Sequence, residues 1–313
     1  MSSLIRPIAI LCAFVVGWLF PQGAALRFLI PYFVGFMIFA TFVGLDARNI
    51  AFKKSHVAIL CANLLIPLLA YWIVGAFERD GSQLALAAFF TGIAPTATAA
   101  PAVAGFLNRK TEYVVVGLLL TTFVVGLALP LLLPWILQTK DADVDFWVGV
   151  RSVGKSVLLT MALPIVLARL TRAFIPGATA LIRRGKNVTF GAWVAMVAII
   201  CCRASEFIRD PRNGVGGREL LEIGAISLVV CVVNFVLGYF LGERDFREEA
   251  SQTLGQKNTG ATIVFATLYA EPLVALGPTF YVLWHNSWNA AQLARVARRE
   301  RARAEEPTRR DER

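Results

Sequence analysis

The chain has 313 residues, 57% of them hydrophobic and 17% charged, with a mean hydropathy of +0.63 and a formal net charge of +10. A soluble domain of this size carries more charge and less apolar residue, so a soluble enzyme is excluded. The positive charge sits in short loops and at the tail, which reads as a membrane-orientation signal, and no nucleic-acid partner is expected.

A membrane-spanning helix needs roughly 20 apolar residues. About ten such stretches follow one another, at 5–20, 28–45, 56–77, 83–107, 113–138, 146–170, 187–208, 219–242, 250–270 and 273–294. Lipid forces each backbone polar group to pair within its own segment, so the expected fold is an all-α, polytopic membrane protein. The first stretch follows Arg6 and ends at Pro21-Gln22-Gly23 with no small-residue cleavage pattern, so it reads as a retained span. Cys12, Cys61, Cys201, Cys202 and Cys231 all lie in apolar stretches without zinc-type spacing. They read as packing residues, and no metal site or cofactor is expected.

An even number of spans puts both termini on one side. The N-terminus, the loops on its side and the tail carry 21 Lys and Arg, against 7 in the opposite loops; without the tail the balance is 13 against 7. Both termini are therefore expected in the cytoplasm, with the protein integral to a bacterial inner (plasma) membrane. The expected division is a transmembrane domain over 1–295, in two halves at about 5–138 and 146–294, and a basic cytoplasmic tail over 296–313. Arginines and acids mix in the tail without apolar periodicity. It reads as a solvated, partly disordered end, or else as an anchor to anionic lipid.

Five spans per half make the second half run inverted relative to the first, a plan common among secondary transporters. Asn63 in span three and Asn234 in span eight are the polar pair offered as equivalent. Span four contains Ala94-Pro95-Thr96-Ala97-Thr98-Ala99-Ala100-Pro101. Two prolines so close cannot both sit in an unbroken helix. Span nine contains Thr253-Leu254-Gly255-Gln256-Lys257-Asn258-Thr259-Gly260, the most polar run inside any span. Two interrupted helices at matching places point to a transport site, because unwound backbone in lipid survives only against protein or a water-filled cavity. Lys257 falls near a span centre. It either faces a polar partner or cavity, or snorkels outward if the helix boundary lies a turn away.

These residues resemble the bile acid:sodium symporter family over roughly residues 5–295. The resemblance rests on the Ala-Pro run at 94–101, on Gly255-x-x-Asn258-Thr259-Gly260, and on Leu283-Trp284-His285-Asn286 in span ten. It implies ten helices in two inverted five-helix repeats, with broken helices four and nine crossing at mid-membrane, and secondary transport by alternating access. It also implies sodium-ligand positions, and four of these have changed. They fall on Ala100, Pro101, Thr253 and Lys257, where sodium-symporting members show Ser, Asn, Glu and Gln. Alanine and proline side chains offer no oxygen, and lysine is itself a cation. Asn63 falls near a further polar ligand position in span three.

Two positive charges close together in a low-dielectric site repel strongly. Lys257 is therefore expected to stand where sodium would, paired with oxygens of Asn258, Thr253, Thr96, Thr98 and unwound carbonyls. The transporter is then sodium-independent, with Lys257 attracting an anionic substrate, or proton-coupled through Lys257. The candidate substrate- and ion-binding residues are Asn63, Thr96, Thr98, Pro101, Thr121, Thr122, Thr253, Gln256, Lys257, Asn258, Thr259, His285 and Asn286. Thr121 and Thr122 read as bonded to their own helix or lining the cavity, and His285 as a packing or cavity-lining residue. His56 reads as interfacial.

The basic centre favours a small organic anion as substrate, with the bilayer as the other partner. Sodium- or proton-coupled transport of another organic solute, or an inverted-repeat exporter such as an arsenite permease, is the alternative. The exporter is expected to place a cysteine in a broken helix, and 90–107 and 250–270 contain none. An intramembrane enzyme needs paired acids, a nucleophile with its base, or a metal cluster. Glu78, Asp80, Glu112, Glu206, Glu219 and Glu271 lie near span ends, so no catalytic residue is expected. A channel would show a pore loop or charged rings, and neither is seen.

Overall fold

A computed structural model describes residues 5–44, 52–77, 83–138, 147, 151, 155, 158–213 and 216–311. The protein is an all-α, polytopic membrane protein. Helix α1 spans Ile5–Leu19, and a 3-10 segment at Pro21–Leu29 leads into α2, Ile30–Gly44. Then come α3 (Lys54–Phe77), α4 (Gln83–Gly92), α5 (Ala100–Phe106) and α6 (Thr111–Gln138). After a π turn at Leu158–Ala162 follow α7 (Leu163–Phe174), α8 (Ala178–Arg184) and α9 (Lys186–Arg209). The chain ends with α10 (Gly217–Leu241), α11 (Arg247–Gly255), α12 (Thr259–Tyr269) and α13 (Leu276–Asp311). The expected start of span six falls largely outside the described residues.

Five helical stretches among the described residues are long and apolar enough to cross a membrane: Pro21–Gly44, Lys54–Phe77, Thr111–Leu137, Val188–Arg209 and Gly217–Leu241. Their outer faces carry bare apolar side chains. On α3 these are Leu65, Leu69, Trp72 and Ile73, and on α6 they are Phe123, Leu127 and Leu131. Contiguous apolar surface of this kind is rare on a soluble monomer and matches a lipid-facing wall.

The helices pack as two bundles. One contains α1, α2, α7, α8 and α9; the other contains α3–α6 with α10–α13. The second has its own core, where Ile59, Ile66, Val114, Val230, Phe235, Leu254 and Tyr281 interdigitate. A larger apolar cluster joins the bundles, with Val34 and Met37 of α2 and Met196 and Ile200 of α9 set among Phe89, Phe90, Ile263 and Phe265.

Helix α13 runs on from span ten to Asp311, through a run of Ala, Arg and Glu that are strong helix formers and extend a helix already nucleated. His56, expected at the interface, is 1% exposed and packs between α3 and α6. Its ring stacks on Tyr113 with centroids 4.0 Å apart. Its Nε2 donates to Tyr113 O at 3.0 Å, and its Nδ1 accepts from Lys53 N at 3.0 Å. With both nitrogens paired, burial leaves no unmet polar group.

Candidate functional site

Helix α4 stops at Gly92, the chain is non-helical over 93–97, and a turn at Thr98 and Ala99 leads into α5 at Ala100. Pro95 and Pro101 account for this, since each lacks an amide donor and Pro101 sits in the first turn of α5, where none is needed. Helix α11 stops at Gly255, and only Gln256, Lys257 and Asn258 separate it from α12. The two breaks lie against each other in antiparallel pairing centred on Thr96 and Lys257. Ala97 N donates to Gln256 O at 2.8 Å, and Asn258 N donates to Pro95 O at 2.8 Å. Each break thus satisfies backbone groups that the other leaves free, the condition for irregular chain at membrane depth.

Hydroxyls from three helical segments close around this pairing. Thr96 N donates to Thr121 Oγ1 at 3.0 Å, and Thr121 Oγ1 donates to Gly117 O at 2.8 Å. Thr96 Oγ1 donates to Thr253 O at 2.7 Å, and Thr253 Oγ1 to Glu249 O at 2.8 Å. Helices α6 and α11 come this close because residue 117 is glycine; a Cβ there would overlap the Thr253 methyl.

Lys257 is 1% exposed and does not snorkel outward. Its Nζ donates to Oδ1 of Asn63, which is fully buried on α3. The expected partners Asn258, Thr253, Thr96 and Thr98 do not hold it. Among the described residues the hydrogen bond that its Nζ makes runs to Asn63 instead. Nδ2 of Asn63 is buried without a partner among the described residues.

Gln256 is buried beside the crossover, and its Nε2 bonds to Gln252 Oε1 and to Asn289 Oδ1, the latter at 3.4 Å. Thr122 and Thr259 are buried, while Thr98 and Pro101 are half-buried at the turn into α5. His285 is buried edge-on to Tyr281, with centroids 5.5 Å apart, and its Nδ1 has no partner among the described residues. Asn286 turns to its own helix, its Nδ2 donating to Val282 O at 2.6 Å. The structure thus brings Asn63, Thr96, Thr121, Thr253, Gln256, Lys257 and Asn258 together, and leaves Asn286 apart from them.

Sequence reading missed several polar residues around this centre. Tyr281 OH donates to Gly255 O at 2.7 Å and accepts from Asn234 Nδ2 at 3.2 Å. Gln252 Nε2 donates to Gln292 Oε1. Glu249 is 3% exposed and accepts from Lys110 N at 3.0 Å. The signal that finds them is helical spacing. Tyr281, His285, Asn289 and Gln292 share one face of α13, and Glu249 and Gln252 share one face of α11, with Gln256 just past its end.

The arrangement is a buried ammonium held by a neutral amide where two helices break. It places a basic side chain at a point where backbone and hydroxyl groups of the two breaks are already paired. A comparison with curated proteins gives no match. Residues 31–210 match the model of the Sodium Bile acid symporter family. That stretch includes Asn63, the first break, Thr121 and Thr122, and it ends before Lys257. It covers more than half of the chain, which therefore belongs to the sodium bile acid symporter family, a family of transporters and not of enzymes.

Proposed function

We propose that the protein is a secondary transporter of an organic anion, working by alternating access, in which Lys257 is a built-in cation standing in for a coupled sodium ion. The observation that carries this reading is the burial of Lys257 with its ammonium on Asn63, at a position that the resemblance associates with sodium coordination. A second cation beside that ammonium is disfavoured by repulsion in a poorly solvated site. The positive centre suits a carboxylate or sulfonate. In this reading the chain has ten spans in two inverted repeats, at about 5–138 and 146–294, with α4–α5 and α11–α12 as the fourth and ninth spans. Both termini then lie in the cytoplasm. The antiparallel meeting of the two breaks supports the inverted plan, because related halves running in opposite directions bring equivalent segments together head to tail.

Uptake into proteoliposomes from a panel of organic anions, with sodium replaced by choline, tests this. Uptake that persists without sodium is expected, and a strict sodium requirement refutes the substitution. Lys257→Gln should create sodium dependence or abolish anion uptake. A second reading, proton coupling through Lys257, is favoured by its neutral partner: an amide oxygen holds an ammonium without fixing its charge as a carboxylate would. Uptake that collapses a pH gradient in wild type and not in Lys257→Gln identifies it.

A further inference from the structure

The two bundles meet where α2 and α9 pack against α12 and α13, and side chains of α9 and α12 face each other along this seam. Met196, Ile200, Arg203 and Phe207 share one face of α9 by their spacing of four, three and four, and Gly260, Ile263 and Thr267 lie across from them on α12. At the inner end, residue 260 is glycine, and a Cβ there would meet Met196 Cε at 3.0 Å and Val34 Cγ2 at 3.1 Å. The seam therefore closes tightly beside the crossover. At the outer end it widens into a small cleft lined by Ile200, Arg203, Phe207, Ile263, Leu276 and Thr279, among others. Its cavity of about 20 Å³ holds little more than a water molecule, so no organic solute occupies it while the bundles are closed.

Arg203 stands out within this seam. It is half-buried on a helix that crosses the membrane, and its guanidinium reaches from one bundle to the other, with Nη1 donating to Thr267 Oγ1 at 2.8 Å. Among the described residues it forms no ion pair. The charged groups that act on it are Arg27, of like sign, and Glu206, which is exposed. A guanidinium has five donors in a fork suited to planar oxyanions, and one neutral hydroxyl satisfies little of that capacity. A membrane helix carries such a charge at a cost, and a cationic residue facing a cleft between moving bodies marks a solute path. From Thr267 to Thr259 is eight helical residues, about 12 Å of rise, so α12 leads directly from Arg203 to the crossover.

We propose that Arg203 is an anion-capture residue: as the bundles part, its guanidinium binds the carboxylate or sulfonate of an amphipathic substrate at the outer end of the seam. The apolar body of the substrate then lies against Ile200, Phe207, Ile263 and Leu276, and the solute moves along α12 toward Lys257. This rests on the organic-anion reading above and adds a second binding position to it. Thr267 holds the guanidinium in place while the seam is closed, and an incoming oxyanion displaces that hydroxyl.

The test is tracer uptake by the full-length protein in right-side-out and inside-out membrane vesicles. The probes are cholate, taurocholate, and medium-chain alkyl carboxylates and sulfonates. Arg203→Gln should raise the apparent KM for uptake about tenfold from the side on which the 209–217 loop lies, the outer face in the charge-based topology, as expected for loss of one charge-assisted contact. From the opposite side the KM should change less than about twofold, and Arg203→Lys should recover part of the loss. An unchanged KM from both sides overturns the proposal. So does an equal loss from both sides with Arg203→Lys no better than Arg203→Gln, which would make Arg203 a structural tie. Wild-type vesicles that take up none of the probes overturn the organic-anion reading along with it. Normal wild-type uptake with an unaffected Arg203→Gln overturns this inference alone.

Discussion

The two breaks that form the crossover are built by different means. The first, between α4 and α5, carries Pro95 and Pro101, each of which removes an amide donor and disfavours helix just before it, although α6 runs unbroken through Pro130 and Pro134. The second, between α11 and α12, contains no proline; Gln256, Lys257 and Asn258 each carry an amide N–H. It opens because the first break is there to receive it: Pro95 O accepts from Asn258 N, Ala97 N donates to Gln256 O, and Asn63 takes the Lys257 ammonium. The first break thus has local chemistry that favours it, while the second depends on tertiary contacts alone. Perturbing the supports of the second should therefore do more harm than removing a proline from the first.

The largest expected effect is at Asn63. Asn63→Leu strands the Lys257 ammonium without its partner, and losing a buried hydrogen bond to a charged group costs about 1.5–3 kcal/mol or more. Lys257→Met leaves only an unpartnered amide, at about 1–3 kcal/mol. The double variant Asn63→Leu/Lys257→Met should be more stable than Asn63→Leu alone, because it carries neither orphan. Thermal unfolding in detergent measures all three. An Asn63→Leu protein as stable as wild type would mean that the ammonium has other support, and the second break would no longer depend on α3.

That asymmetry also governs how much could be read from sequence. The first break is legible because proline acts on its immediate neighbours. The second is legible as a polar run between glycines, which marks an interruption without saying what fills it. The partner of Lys257 is not legible, since Asn63 lies 194 residues away and nothing local distinguishes it from the threonines nearer in sequence. Those threonines are set aside only by the three-dimensional structure, in which the Lys257 ammonium reaches Asn63. Tyr281 and Glu249 escape notice for a related reason. A tyrosine and a glutamate near helix ends look solvated until packing buries them. Arg203 falls inside the stretch at 187–208 without a partner in sight, and only the structure turns it into the seam.

A smaller effect is expected where α6 supports the second break. Gly117→Val places a branched side chain against the Thr253 methyl and pushes α11 away from α6. Overpacking of this kind costs about 1–3 kcal/mol. It should also lengthen the Thr96–Thr121 contacts, so uptake should fall by more than expression does. Uptake at the wild-type level per folded molecule would show that the approach of α6 to α11 is not needed for transport.

The smallest effect should come from the residue most conspicuous in the sequence. Pro101 lies in the first turn of α5, where its missing donor is not missed and its fixed φ suits the helix. Pro101→Ala chiefly gives the unfolded chain more freedom, worth about 0.4–1 kcal/mol. The break itself should persist, because Pro95 remains and because Thr96 and Ala97 are still bonded to Thr121 and Gln256. A drop in unfolding temperature as large as that of Asn63→Leu would reverse the comparison: the first break would then be the fragile one, held open by one ring, with the second merely following it.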